Sequence, residues 1–321
     1  MSIGVALGPS ALDTSENAVD AAVDFGRQAV EAGLSSLWFG QQFSHDTIAV
    51  ATVVGREVPQ LEVGTSAVPI PARHPLFVAS QAQTAQAAAH GRFTLGLGLG
   101  AAAFTEPVFG IDYDRPIARL REFLTVLRDV FHTGSVDFHG ETLTAATPFA
   151  AAVAGATPPV PVLVAAMGPQ ALRVTGELAD GTLPFLVGPR ALGEHIVEPI
   201  TAAAERAGRP RPRIGVLVPG VVTADIEGAR AKAVAHTAFY DDIPSYRRIV
   251  ELSGVRRAAD LVVIGDEAAI AARVAEYFDA GATDVIFTQT DLTTPEDQRR
   301  TWRVLGELRR SRSTDAATAL L

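Results

Sequence analysis

The chain has 321 residues, 48% of them hydrophobic, with a formal net charge of -9 and no cysteine. That much apolar content excludes a disordered chain, and the acidic balance excludes nonspecific binding to nucleic acid or an anionic membrane, which needs Lys and Arg in excess on one face. Without cysteine there are no disulfides, thiolate nucleophiles or thiolate metal sites. A small molecule is the expected partner. The start, MSIGVALGPS, has no basic segment leading into a long apolar run, and no apolar run reaches the roughly 18 residues of a spanning helix, so a cytoplasmic location is expected.

In chain order, Ile3 to Leu7 reads as a strand closed by Gly8-Pro9. The helix after it sets Asp20, Asp24, Arg27 and Glu31 opposite Val19, Val23 and Val30 and stops at Gly33. Ser36 to Gly40 is a second strand, and Asp46 opens a helix carrying Ile48 to Val58. Leu61 to Ser66, a helix from Pro75, and Phe93 to Leu99 then form one strand, helix, strand crossover. Phe93-Thr-Leu-Gly-Leu-Gly-Leu-Gly alternates bulky and small residues; a row of glycines lets another group lie flat on the backbone, and close packing inside a barrel accounts for it equally well.

The stretch AAAFTEPVFGIDYDRP reads as a long irregular loop. A helix over Pro116 to Phe131, a small hairpin around Gly140 and a strand over Val160 to Ala165 follow. Next come a helix over Pro169 to Ala179, a strand over Thr182 to Leu186, helical sequence over Ala191 to Ala207 and a strand over Ile214 to Val218. Residues of about 222–265 read as an insertion. Glu267 to Ala280 is helical, Asp284 to Phe287 is the eighth strand, and Pro295 to Leu308 closes the fold. The expected organisation is one domain over 1–310 and a flexible tail over 311–321. Eight alternating strand and helix units predict an α/β fold, a (β/α)8 TIM barrel with an insertion after strand seven; an open doubly wound sheet is the alternative.

In such a barrel the active site lies at the C-terminal ends of the strands. Arg92 and Asp180-Gly181 precede strands and fall on the opposite, stability face. The candidates are Gln41, Gln42, Ser44 and His45 after strand two, Ser66 to His74 with Arg73 after strand three, and Glu106 after strand four. Met167-Gly168-Pro169-Gln170 after strand five and Thr288 to Asp291 after strand eight complete them. Ala166-Met167-Gly168-Pro169-Gln170 ends a strand in glycine and opens a helix at proline, so free N–H groups there can bind phosphate or carboxylate, although this junction is common. His74 reads as a cap or packing residue, and His45 as a surface turn beside Asp46. No HExxH or similar zinc pattern occurs.

The segments GLSSLWFGQQF, VGTSAVPIPARHP, GRFTLGLGLG, VLVAAMGPQALRVTGELADGT and AGATDVIF resemble, in order and spacing, the bacterial-luciferase-like superfamily, and most of all its branch of oxidoreductases using the deazaflavin coenzyme F420. The resemblance implies a (β/α)8 barrel with an insertion after strand seven and a homodimer. It implies a non-prolyl cis peptide between Ser66 and Ala67, next to Val68, that bulges against the deazaflavin ring. Leu97, Gly98, Leu99 and Gly100 would run beside the cofactor, Met167 to Gln170 would hold its phosphate, and Arg73 and His74 fall in the same cofactor-binding segment. Sugar-phosphate dehydrogenases of the superfamily carry an Asp-His pair where this chain has Gln41 and Gln42. Glutamine exchanges no proton near neutral pH, so the resemblance implies hydride delivery to an activated double bond or imine, with Gln41 and Gln42 positioning groups and His45 or Glu106 supplying a proton. The alternatives are an FMN-dependent monooxygenase of the same superfamily and a flavin- or deazaflavin-binding protein without turnover.

Overall fold

The computed structural model describes residues 2–8 and 10–318. It begins with β1 (Ser2–Ala6), α1 (Ala18–Ala32), β2 (Ser36–Phe39), α2 (Thr47–Glu57), β3 (Glu62–Thr65), β4 (Val68–Pro69), α3 (Pro75–Ala88) and β5 (Phe93–Gly98). The middle of the chain gives α4 (Ala102–Phe109), α5 (Pro116–Thr133), the hairpin β6 (Asp137–His139) and β7 (Thr144–Ala146), β8 (Val162–Ala165), α6 (Pro169–Leu178) and β9 (Gly181–Thr182). Then follow α7 (Pro189–Leu192), α8 (Glu198–Arg206), β10 (Arg213–Val222), α9 (Ile226–Asp241), α10 (Pro244–Leu252), β11 (Val263–Gly265), α11 (Glu267–Asp279), β12 (Asp284–Thr288) and α12 (Pro295–Thr318).

The large sheet runs β11-β10-β12-β1-β2-β3-β5-β8-β9, with β4 beside β5 and β9 paired back to β10. Its registers are parallel. With β3 and β4 sharing one position and β11 extending β10, this is the order of a (β/α)8 barrel. Among the described residues no helix is long and apolar enough to cross a membrane.

Contacts divide the chain into two compact units, Met1–Trp38 with Pro184–Glu198 and Arg213–Leu321, and Phe39–Leu183 with Pro199–Pro212. In the first, Val5, Val216, Val285, Ile286 and Phe287 are fully buried, each worth about 1.5–3 kcal/mol against exposure. Below them Arg213 donates to both carboxylate oxygens of Asp284, Nε to Oδ2 at 2.9 Å and Nη2 to Oδ1 at 2.7 Å. Asn17 caps α1 by accepting from the Val19 and Asp20 N–H groups, and Gly33, at φ 87°, ends the helix. The buried stripe of α1 is Ala22, Val23, Gly26 and Ala29, whereas Val19 is exposed.

In the second unit Val63, Phe93, Leu95, Leu163 and Val164 are buried. The stability face is as expected: Arg92 donates to the Gly55 carbonyl at 2.8 Å and to that of Leu61, and Asp180 accepts from the Val162 N–H at 2.8 Å. On α5, the Glu122 carboxylate is buried and accepts from the N–H groups of Glu141, Thr142 and Leu143 and from the Thr142 hydroxyl, at 2.6–3.0 Å. Burial alone would raise its pKa, but the bonds from Thr142, Glu141 and Leu143 outweigh burial and leave it below the ordinary glutamate value.

Several elements differ from the sequence expectations. The stretch read as an irregular loop contains α4. The helical run expected over Ala191 to Ala207 is present and passes through a π turn at Gly193–Val197, whereas β10 reaches Val222 and β11 adds a strand inside 222–265. The closing helix continues past Leu308 to Thr318, and of the tail expected over 311–321, residues 319–321 lie outside the described residues.

Candidate active site

The strand ends of the second unit meet at residues 65–70. The Ser66 N–H donates to the Phe39 carbonyl at 2.7 Å, the Ser66–Ala67 peptide is cis as the resemblance implied, and the Ile70 N–H donates to the Gly98 carbonyl at 2.9 Å. Thr65, fully buried, clamps the neighbouring strand twice: its hydroxyl donates to the Gly96 carbonyl at 2.9 Å and accepts from the Gly96 N–H at 2.8 Å. This approach leaves Gly96 no room, for a Cβ there would overlap the Thr65 carbonyl oxygen and lie 2.6 Å from Leu183 Cδ1.

Gly40 and Gly98, at the C-terminal ends of β2 and β5, and Gly168, the N-cap of α6 after β8, differ. A Cβ on Gly98 would lie 3.7 Å from Ala67 Cβ, one on Gly40 would lie 3.5 Å from the Ser66 carbonyl, and one on Gly168 would meet nothing within 4 Å. None of the three has positive φ. Neither backbone conformation nor packing within the chain demands glycine at these positions, so the Cβ positions are open ground at the rim. Beside them Ser66, Ala67 and Gly98 are half-buried, whereas Val68, Leu97 and Ala166 are buried beneath. Met167 is 8% exposed. The cap of α6 is Gly168, with Pro169 in the first turn and no side-chain cap, which leaves the Gln170 and Ala171 N–H groups without a capping side chain.

Gln41 is held at both ends. Its Nε2 donates to the carbonyls of Gln42 at 2.6 Å and His45 at 2.8 Å, and its Oε1 accepts from Arg73 Nη2 at 2.8 Å. Arg73 also reaches Asp46, at 3.4 Å, which caps α2 through the Ala49 N–H. The Gln42 amide and His45 Nε2 have no hydrogen-bond partner among the described residues, while His45 Nδ1 pairs with the Ser44 hydroxyl at 3.0 Å.

His74 takes the capping role: its Nδ1 accepts from the Leu76 N–H and its Nε2 meets the Thr144 carbonyl at 2.9 Å. Glu106 is exposed, and its carboxylate accepts from the Tyr113 N–H, closing the loop after α4. Tyr113 in turn donates its hydroxyl to the Gly100 carbonyl at 2.9 Å, and burial raises its pKa. Leu99, half-buried, lies with Ile70 and Tyr113 in a hollow behind this rim. Arg173 pairs with Glu177 on the surface of α6. Sequence reasoning missed Thr65 and Tyr113; both act through backbone partners distant in sequence, which no local pattern announces. Among the described residues no cluster of His, Asp and Glu could hold a metal ion.

A (β/α)8 barrel with small, uncrowded residues gathered at the C-terminal ends of its strands is an enzyme barrel in organisation. The model of the luciferase-like monooxygenase family matches residues 1–284, and the chain belongs to that family. It is 27% identical over 292 residues to the F420-dependent glucose-6-phosphate dehydrogenase of Kineococcus radiotolerans, covering 82% of this chain and 85% of that one. Among solved structures, an F420-dependent secondary alcohol dehydrogenase in complex with an F420-acetone adduct superposes with a TM-score of 0.78 at 18% identity, covering 96% and 97% of the two chains. The FMN complex of the oxygenating constituent of 3,6-diketocamphane monooxygenase from Pseudomonas putida gives 0.73 at 16% identity, covering 96% and 97%.

Proposed function

We propose that the chain is an oxidoreductase that binds coenzyme F420 at the rim formed by Gly40, Ser66, Ala67 and Gly98 and reduces an activated C=C or C=N bond of a small organic acceptor. The observation that carries the reading is the open ground at Gly40, Gly98 and Gly168, where added methyl groups would collide with no atom of the chain but would take up space left open beside the strand ends. Reduced deazaflavin supplies a hydride when bound, and the chain supplies orientation and exclusion of water. The Gln170 and Ala171 N–H groups at the start of α6 suit the coenzyme phosphate. The free Gln42 amide orients the acceptor carbonyl or imine by donating to it, and Gln41, held by Arg73, fixes that loop. His45 Nε2 is better placed than Glu106 to hand over a proton, because the Glu106 carboxylate closes its own loop. The two glutamines take up no proton near neutral pH, which favours reduction over alcohol oxidation. The F420-dependent relative supports the cofactor choice, and a cytoplasmic homodimer is part of the same reading.

The likeness to the FMN-bound monooxygenase supports a second reading, oxygen insertion with reduced FMN. The test is anaerobic mixing of reduced F420, a small amount of protein, and cyclohex-2-enone or a cyclic imine, followed by return of the deazaflavin visible absorbance. Reoxidation dependent on protein and acceptor is expected. No reoxidation with any acceptor, together with oxygenated product from reduced FMN and oxygen, would replace the first reading with the second.

A further inference from the structure

Helix α4 is inside out. Of Ala-Ala-Phe-Thr-Glu-Pro-Val-Phe only Thr105 is buried, while Phe104, Val108 and Phe109 are 40%, 45% and 37% exposed. A surface helix ordinarily turns its apolar side inward. Phe43, on the segment after β2 and 74% exposed, joins the same cluster. Its ring stacks on Phe104 with centroids 5.8 Å apart and tilts against Phe109 at 6.3 Å, and Phe104 and Phe109 meet edge to face at 6.5 Å. Phe43 follows β2 and α4 follows β5; β3, which ends at Thr65, just before the Ser66–Ala67 link, lies between those two strands in the sheet. The aromatic cluster therefore bridges the two segments that flank the proposed cofactor rim.

Size and charge narrow what covers it. A phenylalanine presents about 200 Å², so these exposures leave roughly 300 Å² of aromatic surface, well short of the about 800 Å² per partner of a stable protein interface and on the scale of one bulky small molecule. No Lys, Arg or His lies between Gly98 and Asp114, and Glu106, the acidic residue of α4, is engaged by the Tyr113 N–H. A phosphorylated or carboxylated acceptor finds no counter-charge on this segment.

We propose that Phe43, Phe104 and Phe109 hold the body of the hydride acceptor, a neutral, bulky, apolar molecule of two or more rings or equivalent aliphatic bulk; this rests on the reductase reading above. The test compares wild type, Phe43→Ser and Phe104→Ser by calorimetric titration, without cofactor, using 4-(1-naphthyl)but-3-en-2-one and cyclohex-2-enone as probes. Deazaflavin titration and light-scattering mass are measured on the same samples. The substitutions are expected to weaken the naphthyl enone by about tenfold or more and cyclohexenone by less than about twofold, with deazaflavin affinity and mass unmoved. Equal effects on both enones, no effect on the naphthyl enone, or wild type that does not bind it overturns the proposal. So does a fall in mass in either variant, which would assign the cluster to a second copy of the chain. Wild type that binds the naphthyl enone but not deazaflavin would refute the cofactor reading while leaving the aromatic platform standing.

Discussion

Gly96 and Gly98 sit two residues apart on β5, look alike in sequence, and should respond oppositely to the same methyl group. At Gly96 the added Cβ overlaps the Thr65 carbonyl oxygen, a backbone atom that no rotamer change can move, and crowds Leu183 Cδ1 at 2.6 Å. Overpacking of this kind costs about 1–3 kcal/mol, and the rigid partner puts Gly96→Ala at the upper end. At Gly98 the nearest atom is Ala67 Cβ at 3.7 Å, ordinary van der Waals contact. Gly98→Ala should therefore leave stability unchanged or raise it by about 0.4–1 kcal/mol through the smaller conformational freedom of the unfolded chain. The same methyl stands on the ground proposed for the deazaflavin ring, and a ring displaced from its seat by one methyl should lose at least about tenfold in affinity, or 1.4 kcal/mol. Urea unfolding gives the first quantity and deazaflavin fluorescence titration of the same samples gives the second. Gly98→Ala protein that is stable and binds the coenzyme as wild type does would refute the cradle, and Gly98→Ala as unstable as Gly96→Ala would refute the packing argument.

Glu122 makes a pH-dependent contribution. Its folded pKa is depressed below the ordinary glutamate value, so its stabilisation is complete above the unfolded-chain pKa and is lost as pH falls through the folded pKa. Glu122→Gln should cost about 1.5–3 kcal/mol at neutral pH and flatten the acid limb of the stability profile; an unchanged limb contradicts the assignment. Arg73→Ala should cost about 1–2 kcal/mol in urea unfolding by releasing Gln41 and Asp46, and Arg73→Lys should recover less than half of it because lysine lacks the fork that reaches both; full recovery would count against the network. Asp284→Asn leaves Arg213 partly buried without its carboxylate and should cost about 2–3 kcal/mol, less than a fully buried pair because the guanidinium keeps some solvent. A melting temperature equal to wild type would contradict this.

Caps and glycine stops made the early helices legible: Asp46, Pro75 and Gly33 act as their residue types require. The cis Ser66–Ala67 link was legible because VGTSAV resembles the family segment that carries such a link. Helix α4 was not legible, since its apolar residues face out and its lone buried residue is a threonine, which removes the periodicity that would announce it. Nor did the glycine row distinguish Gly96, closed off by Thr65, from Gly98, which is open; that difference depends on a strand 31 residues earlier. Sequence brought Gln41 and Gln42 forward as a pair, whereas in three dimensions one is fastened by Arg73 and the other is free to meet a ligand. β11 escaped notice because three residues paired to the extension of β10 carry too little pattern to stand out from a mixed segment.

The measurement bearing most directly on the central claim is a parallel equilibrium titration of the wild-type chain with F420 and with FMN, read by the anisotropy of each cofactor. Saturable one-to-one binding of F420, tighter than that of FMN and weakened by Gly98→Ala, is the result this account predicts. Tight FMN binding with no F420 binding, or F420 binding indifferent to residue 98, would contradict it.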